Sequence, residues 1–370
     1  MRIAVVGNCH GGIVAQTVRT ALRDVAGLDC RHIVSYQHAG EAERDFVDAA
    51  DRVLLQVTDF RSSSDLAGRI DTTSDRVGLF PLIAANFLYP FAGKAHPRAA
   101  ESRSFYCPSG YYEGQVSDSV LLDLMQQHPE APAGEIADRY LALDYATLTD
   151  LDRLHEVNRL KMQRIGAAAG LDLWARVERG FRDAPFFWTY LHPSGALLRP
   201  LCAHALRQLR LGLDAESVQA AVDGVIEPLG FAHMPIHPSV VRHFGIEWAT
   251  PEYRYRFMPE GAFTIRQFAM RYVGFDHDDE LTRAIFDLHN DRAPESVVET
   301  LERAAARHIG NGDVLINLAI AYWKRGLLAK AMQAAISALR IDPKQSEWST
   351  FLGIVVEQAL HDPARAFAAA

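Results

Sequence analysis

A chain of 370 residues and 41.1 kDa is long enough for two domains, or for one large domain with an appendage. With 49% hydrophobic and 23% charged residues it has ample apolar surface to bury, which excludes disorder over most of its length. A formal charge of −8 and a pI of about 6.0 exclude a general nucleic-acid binder, which carries a basic footprint, but leave room for a local anion pocket.

Residues 2–6 are a short apolar run ending at Gly7, followed by Asn8-Cys9-His10-Gly11-Gly12. Ile13, Val14, Val18, Leu22 and Val25 come next at helical spacing, so this stretch reads as strand, tight loop and helix. A second strand is predicted at Cys30–Tyr36, a helix over 41–51, a third strand over 52–57 ending at Thr58-Asp59-Phe60, and a fourth over 76–83. This alternation predicts a mainly parallel α/β sheet flanked by helices. The apolar stretch Leu79–Gly93 is too short for a membrane span and carries two prolines. No transmembrane segment is therefore expected. The start of the chain lacks a secretory pattern, so a cytoplasmic location is expected.

From Asp118 to Arg182 the pattern turns helical, at 119–127, 135–143 and 151–170, with Thr149 or Asp150 as N-cap of the last. A further helix covers Leu197–Leu211 with Pro200 in its first turn. Residues 228–260, rich in Pro, His and aromatics, read as irregular. The acidic cluster Asp276, Asp278, Asp279 and Glu280 marks a seam and suits a helix N-terminus. Beyond it the chain reads as wholly helical. Leu315, Leu318, Ala319, Tyr322, Ala331, Ala335, Ala338 and Pro343 match the signature positions of a 34-residue tetratricopeptide repeat. A weaker copy starts at Ser346, with Leu352, Gly353 and Ala369 in register and Arg365 out of pattern. The predicted division is an α/β domain over 1–275 with a helical insertion around 118–182, then a helical tetratricopeptide-like region over 276–370.

Four constellations can carry chemistry. The loop Gly7–Gly12 joins a strand's carboxyl end to a helix N-terminus, the usual ligand position in an open α/β sheet. Unpaired N–H groups and the helix dipole favour a phosphate or oxyanion there, and the same field enriches a thiolate, so Cys9 is a candidate nucleophile with His10 as its neighbour. The loop has neither a Walker nor a dinucleotide fingerprint. His192, held extended before Pro193, is a candidate general base. Gln56 stands at a strand end beside the loop and could donate to an oxyanion, with Arg61 pairing a phosphate. His233 and His237 are four apart, but prolines 235 and 238 forbid the regular helix that metal ligation at this spacing needs, so no metal site is assigned. The other cysteines, at 30, 107 and 202, form no C-x-x-C pair, and no structural disulfide is expected.

Taken together, the order of these pieces resembles the WcbI family of capsular polysaccharide biosynthesis proteins. The elements are Gly7-Asn8-Cys9-His10-Gly11, Gln56 to Arg61, Pro81 to Tyr89-Pro90, Leu154-His155-Glu156, Thr189 to Ser194, and Pro235 to Val240, over roughly residues 1–250. The family usually has Gln where this chain has His10. The loop is also similar to the Gly-Asp-Ser start of SGNH-type esterases, with Asn8-Cys9 in place of Asp-Ser.

The resemblance implies an SGNH- or Rossmann-like three-layer fold that binds coenzyme A or acetyl-coenzyme A. It implies an acyl (acetyl) transferase acting on a surface polysaccharide or its sugar precursor. Cys9, His192 and Gln56 would be catalytic, and Asn8, His10, Gly11, Gly12 and Arg61 would hold the cofactor. The rival readings are a deacylase using Cys9 and His192 with water as acceptor, and a non-catalytic scaffold. In either case the tetratricopeptide-like tail would take a protein segment, cap the α/β domain or mediate dimerisation.

Overall fold

Strand β1 (Arg2–Gly7) has five successive buried residues, Ile3 to Gly7, as expected of a strand covered on both faces. It opens a computed structural model that describes residues 1–58, 65–99, 112–257, 261–275, 284–285, 287–288, 295–307, 312–341, 343 and 346–361. After β1 come α1 (Cys9–Ala21), β2 (Asp29–Val34), α2 (Glu41–Asp48), β3 (Arg52–Val57), α3 (Asp65–Arg69) and β4 (Val77–Pro81). The chain continues through α4 (Ser119–Gln127), α5 (Ala133–Leu141), α6 (Leu151–Ala169), α7 (Trp174–Gly180), the short strands β5 (Phe187–Thr189) and β6 (His192–Pro193), and α8 (Gly195–Gln208). Next are α9 (Ala215–Asp223), α10 (Pro238–Phe244), the antiparallel pair β7 (Tyr255–Phe257) and β8 (Gly261–Phe263), and α11 (Ile265–Val273). The described residues beyond these include the helices α12 (Glu295–Arg307), α13 (Gly312–Lys324), α14 (Leu328–Ile341) and α15 (Ser346–His361).

The chain divides into two compact units. The first comprises Met1–Phe87, Asp152–Phe187 and Leu191–Ile226. Its sheet is four-stranded and parallel throughout, in the order β2-β1-β3-β4. Ala4 and Val6 of β1 point with Val53 and Leu55 of β3 into a core closed by Phe46 and Val47 of α2 and Leu66 of α3. Their neighbours Ile3 and Val5 are just as buried on the opposite face, by the two-residue period of a strand. Helices α1 and α8 pack together, and α8 packs on β4. The approach is close: a Cβ on Gly78 of β4 would lie 2.6 Å from Cβ of Gln208, so only glycine fits there.

One detail of this unit differs from the sequence expectation. Helix α8 starts two residues early, at Gly195, so Pro200 lies in its second turn rather than its first. The ring there removes one helical N–H bond, a loss that the buried face of Leu197, Leu198, Leu201 and Ala205 outweighs. His204 of the same helix lies 3.0 Å from the Leu79 carbonyl and 2.9 Å from that of Ala169, tying α8 to β4 and to the end of α6.

The second unit comprises Leu88–Leu151, Trp188–Tyr190 and Glu227–Ala370. Asp118 caps α4 by accepting from the Val120 and Leu121 amides. Its other oxygen accepts from the hydroxyls of Tyr145 at 2.7 Å and Tyr140 at 3.2 Å. Tyr145 stacks on His237 at 3.9 Å between ring centroids. The segment expected to be irregular holds a helix, α10. Pro238 is its first residue, where a missing N–H is harmless, and Gly245 closes it at φ 64°.

In the C-terminal part of this unit, α12 to α15 pack consecutively. Ala319, Ala331, Ala335 and Ala338 are fully buried and let α13 and α14 approach closely. Arg256 of β7 pairs with Asp313 of α13 at 2.9 Å and lies over the Trp348 ring of α15 at 4.8 Å. No helix among the described residues is long and apolar enough to cross a membrane. The acidic seam at 276–280 lies outside the described residues, as do Cys107, Arg365 and Ala369.

Candidate functional site

The strand order places a reversal between β1 and β3. The chain moves from β1 to β2 on one side, then returns past β1 to β3. In open α/β sheets a crevice forms at the carboxyl ends of such a strand pair. Here those ends carry Asn8–Gly12 after β1, and Gln56, Val57 and Thr58 at the end of β3.

Asn8 is the N-cap of α1. Its side chain accepts from the His10 amide at 3.0 Å, and its carbonyl accepts from the amides of Gly11 at 2.8 Å and Gly12 at 3.4 Å. No acidic residue stands in the first turn of α1, so nothing there opposes an anion. Cys9 is partly exposed, whereas Cys30 and Cys202 are buried and their thiols are pushed up to about 11 by desolvation. Cys9 is thus the accessible thiol among the described cysteines.

Gln56, expected to donate to an oxyanion, is 6% exposed and braces the loop. Its Oε1 accepts from the Asn8 amide at 2.9 Å, and its Nε2 lies 3.2 Å from His10 Nδ1. His10 is fully buried, and its Nε2 lies 2.8 Å from the Leu191 carbonyl. The ring therefore faces protein on both nitrogens and offers no edge to a ligand in this conformation. Desolvation lowers the His10 pKa to about 4, partly offset by the bond to Leu191.

The residue after Leu191 is His192, 5% exposed, whose pKa falls to about 3 through burial and the proximity of His10. Both imidazoles are neutral at pH 7. The structure thus brings Asn8, Cys9, His10, Gln56 and His192 to one end of the sheet, although 183 positions separate Cys9 from His192 in the chain. Arg61 and its neighbours Asp59 and Phe60 lie outside the described residues.

Sequence reasoning missed His32. It stands on β2, its Nε2 3.1 Å from the Gly7 carbonyl, and a Cβ on Gly11 would meet its ring at 3.1 Å. The available signal was the two-residue period, which puts Cys30 and His32 on one face of β2, opposite the Gly-Gly pair.

His233 and His237 face different partners. His233 stacks on Trp188 at 3.9 Å, while His237 directs Nε2 to the Tyr140 carbonyl at 2.9 Å and Nδ1 to Ser239 Oγ at 2.7 Å. Among the described residues, no group of three His, Cys, Asp or Glu is placed to hold a metal ion.

Residues 2–214, more than half of the chain, match the family model described as "Polysaccharide biosynthesis enzyme WcbI". The chain belongs to the WcbI family. A solved WcbI structure, described as a novel polysaccharide biosynthesis enzyme in its native form without a disulfide between coenzyme A and a cysteine, aligns with 87% of this chain and 99% of its own. Identity to it is 17% and the TM-score 0.48. No curated protein matches the chain.

The WcbI-matched stretch spans the whole Gly7–Gly12 loop, Gln56 and the segment Thr189–Ser194. Within that segment Thr189 is fully buried and its hydroxyl donates to Gln115 Oε1 at 3.0 Å. Ser194 serves as backbone N-cap of α8, donating its own amide to the Phe186 carbonyl at 2.9 Å. His155 of α6 sits 3.1 Å from Glu178 and against the rings of Phe87 and Trp174. Ser194 and His155 brace the first unit, and Thr189 the second.

Proposed function

We propose that this WcbI-family protein is a coenzyme A-dependent acyl (acetyl) transferase that esterifies a sugar hydroxyl of a surface polysaccharide or its precursor. The observation that supports the reading is the buried Gln56–His10–Leu191 chain of contacts, which ties the residue before His192 to the loop that bears Cys9. Coenzyme A supplies the acyl group as an activated thioester. The amino end of α1, free of acidic side chains, suits its anionic groups. Asn8, Gly11 and Gly12 shape that end, and Arg61 is assigned to the phosphates.

In the proposed step His192 accepts the proton of the attacking group, either the sugar hydroxyl or the Cys9 thiol. The new bond forms to the acyl carbon while the bond to the departing sulfur breaks, and the departing thiolate takes up a proton. Through Cys9 the acyl group passes first to the enzyme and then to the sugar, so the net reaction is the same. The developing imidazolium and an adjacent thiolate would favour each other, which makes His192 a stronger base with the site engaged than alone. The helix dipole, the Cys9 amide and the second amide proton of Gln56 favour the oxyanion.

Calorimetry with coenzyme A and acetyl-coenzyme A on the wild type and Cys9→Ala tests the reading. Micromolar binding is expected, with transfer activity lost in both Cys9→Ala and His192→Ala. Absence of binding by folded protein overturns the coenzyme assignment, and full activity in both variants overturns the residue roles.

We assign α12–α15 to a tetratricopeptide-like partner site, on the strength of the buried alanine seam and of the exposed Ile336, Ile341, Ile354 and Leu360. A monomeric full chain on size exclusion is expected, and a dimer would instead assign this face to self-association. The cytoplasm is the location this reading proposes.

A further inference from the structure

His10 has a role that the transferase chemistry alone does not assign. A carbonyl oxygen only accepts, so the contact to Leu191 fixes the imidazole proton on Nε2. Nδ1 is then bare and needs a donor, and it faces the amide nitrogen of Gln56. That amide cannot turn over without loss, because its oxygen already accepts from the Asn8 N–H. Each link therefore has a single polarity. Gln56 donates to His10, and His10 donates to Leu191.

The segment so held is short. Strand β6 is only two residues long, and α8 begins at Gly195. His10 grips the residue before His192, and Ser194, two residues after it, donates its amide to the Phe186 carbonyl at 2.9 Å.

We propose that His10 is a positioning residue, a neutral imidazole that ties the Leu191 peptide to the amino end of α1 and so fixes where His192 stands relative to Cys9. The role rests on the transferase reading for its catalytic consequence, whereas the tie itself does not. A glutamine at this position places its amide nitrogen near the site of the imidazole Nε2, and an asparagine falls short of it. The full-length wild type, His10→Gln and His10→Asn are compared by ¹⁵N-histidine NMR and by acetyl-coenzyme A turnover with a sugar acceptor.

The expected result is a displaced His192 ring signal in His10→Asn that returns toward the wild-type position in His10→Gln. In parallel, kcat should fall about 10–100-fold in His10→Asn at unchanged KM for acetyl-coenzyme A, the scale of a misplacement near 1 Å, and His10→Gln should recover most of it. A His192 signal unmoved in His10→Asn overturns the tie, whatever the turnover. Equal disturbance in both folded variants overturns the claim that a donor at the Nε2 position is what matters. If the wild type shows no turnover, the transferase reading fails, and the NMR comparison still decides the tie.

Discussion

A Cβ on Gly11 would lie 3.1 Å from both Cδ2 and Nε2 of His32, and His32 is held in turn by the Gly7 carbonyl. Gly11→Ala should therefore push on a ring that cannot yield freely. We expect a loss of about 1–3 kcal/mol in urea denaturation, typical of overpacking. Asn8→Ala removes the cap of α1 and should cost about 1 kcal/mol. The two substitutions act on one loop, so the double variant should depart from additivity, which a double-mutant cycle would measure. At this scale much of the site was legible. Strand ends and glycines pointed to Asn8, Cys9, His10 and Gln56, because the chemistry of a strand-to-helix turn is local. The inward turn of His10 and the backing of His32 were not legible. Both depend on neighbours 181 and 25 positions away, which only the folded sheet supplies.

At the scale of elements, Asp118 anchors one helix and two tyrosines. Four donors converge on its carboxylate, and burial raises its pKa against their combined pull. Asp118→Ala should leave two buried hydroxyls and the amino end of α4 without their acceptor, at a cost of about 3 kcal/mol by chemical denaturation. Asp118→Asn keeps an oxygen in place without a charge to desolvate, and should lose far less. The strands and helices of the first unit were readable because their periods of 2 and 3.6 are carried by continuous apolar patterns. Helix α10 was hidden by its own start signal, since Pro238 reads as a breaker unless its position at the first helical residue is known. For the same reason Pro200 looked like the opening of α8 rather than a residue tolerated within it.

Across the whole molecule, four histidines, three of them buried and His233 half-buried, share one response to acid. His10 and His237 are lowered to about 4, and His192 and His233 to about 3, in each case chiefly by desolvation. The unfolded chain binds their protons near pH 6.5, more tightly than the folded one does. Stability is therefore fully present above that pH and is lost as pH falls from 6.5 toward 4 and 3. Urea midpoints should drop markedly between pH 7 and pH 5, by the equivalent of about 1–2 kcal/mol for each imidazole that stays buried. A flat profile would show that these rings reach water.

A chain ended at residue 275 would lose Asp313 and Trp348, so Arg256, about a tenth exposed in the full chain, would lose its anion and its aromatic face. Thermal melting and limited proteolysis should show a loosened β7–β8 pair in that truncation, whereas an intact pair would mean the C-terminal helices add no support to it.

The path of the chain has a consequence for synthesis. It passes between the two units five times, after Phe87, Leu151, Phe187, Tyr190 and Ile226. Strand β1 leaves the ribosome first, yet the last stretch of its own unit, Leu191–Ile226, follows some 200 residues later. At about 5–20 residues per second that is a wait of roughly 10–40 s. Throughout it, β4 and the inner face of α1 lack the cover of α8, so the nascent chain offers an apolar surface to chaperones or to other nascent chains before it can close over it.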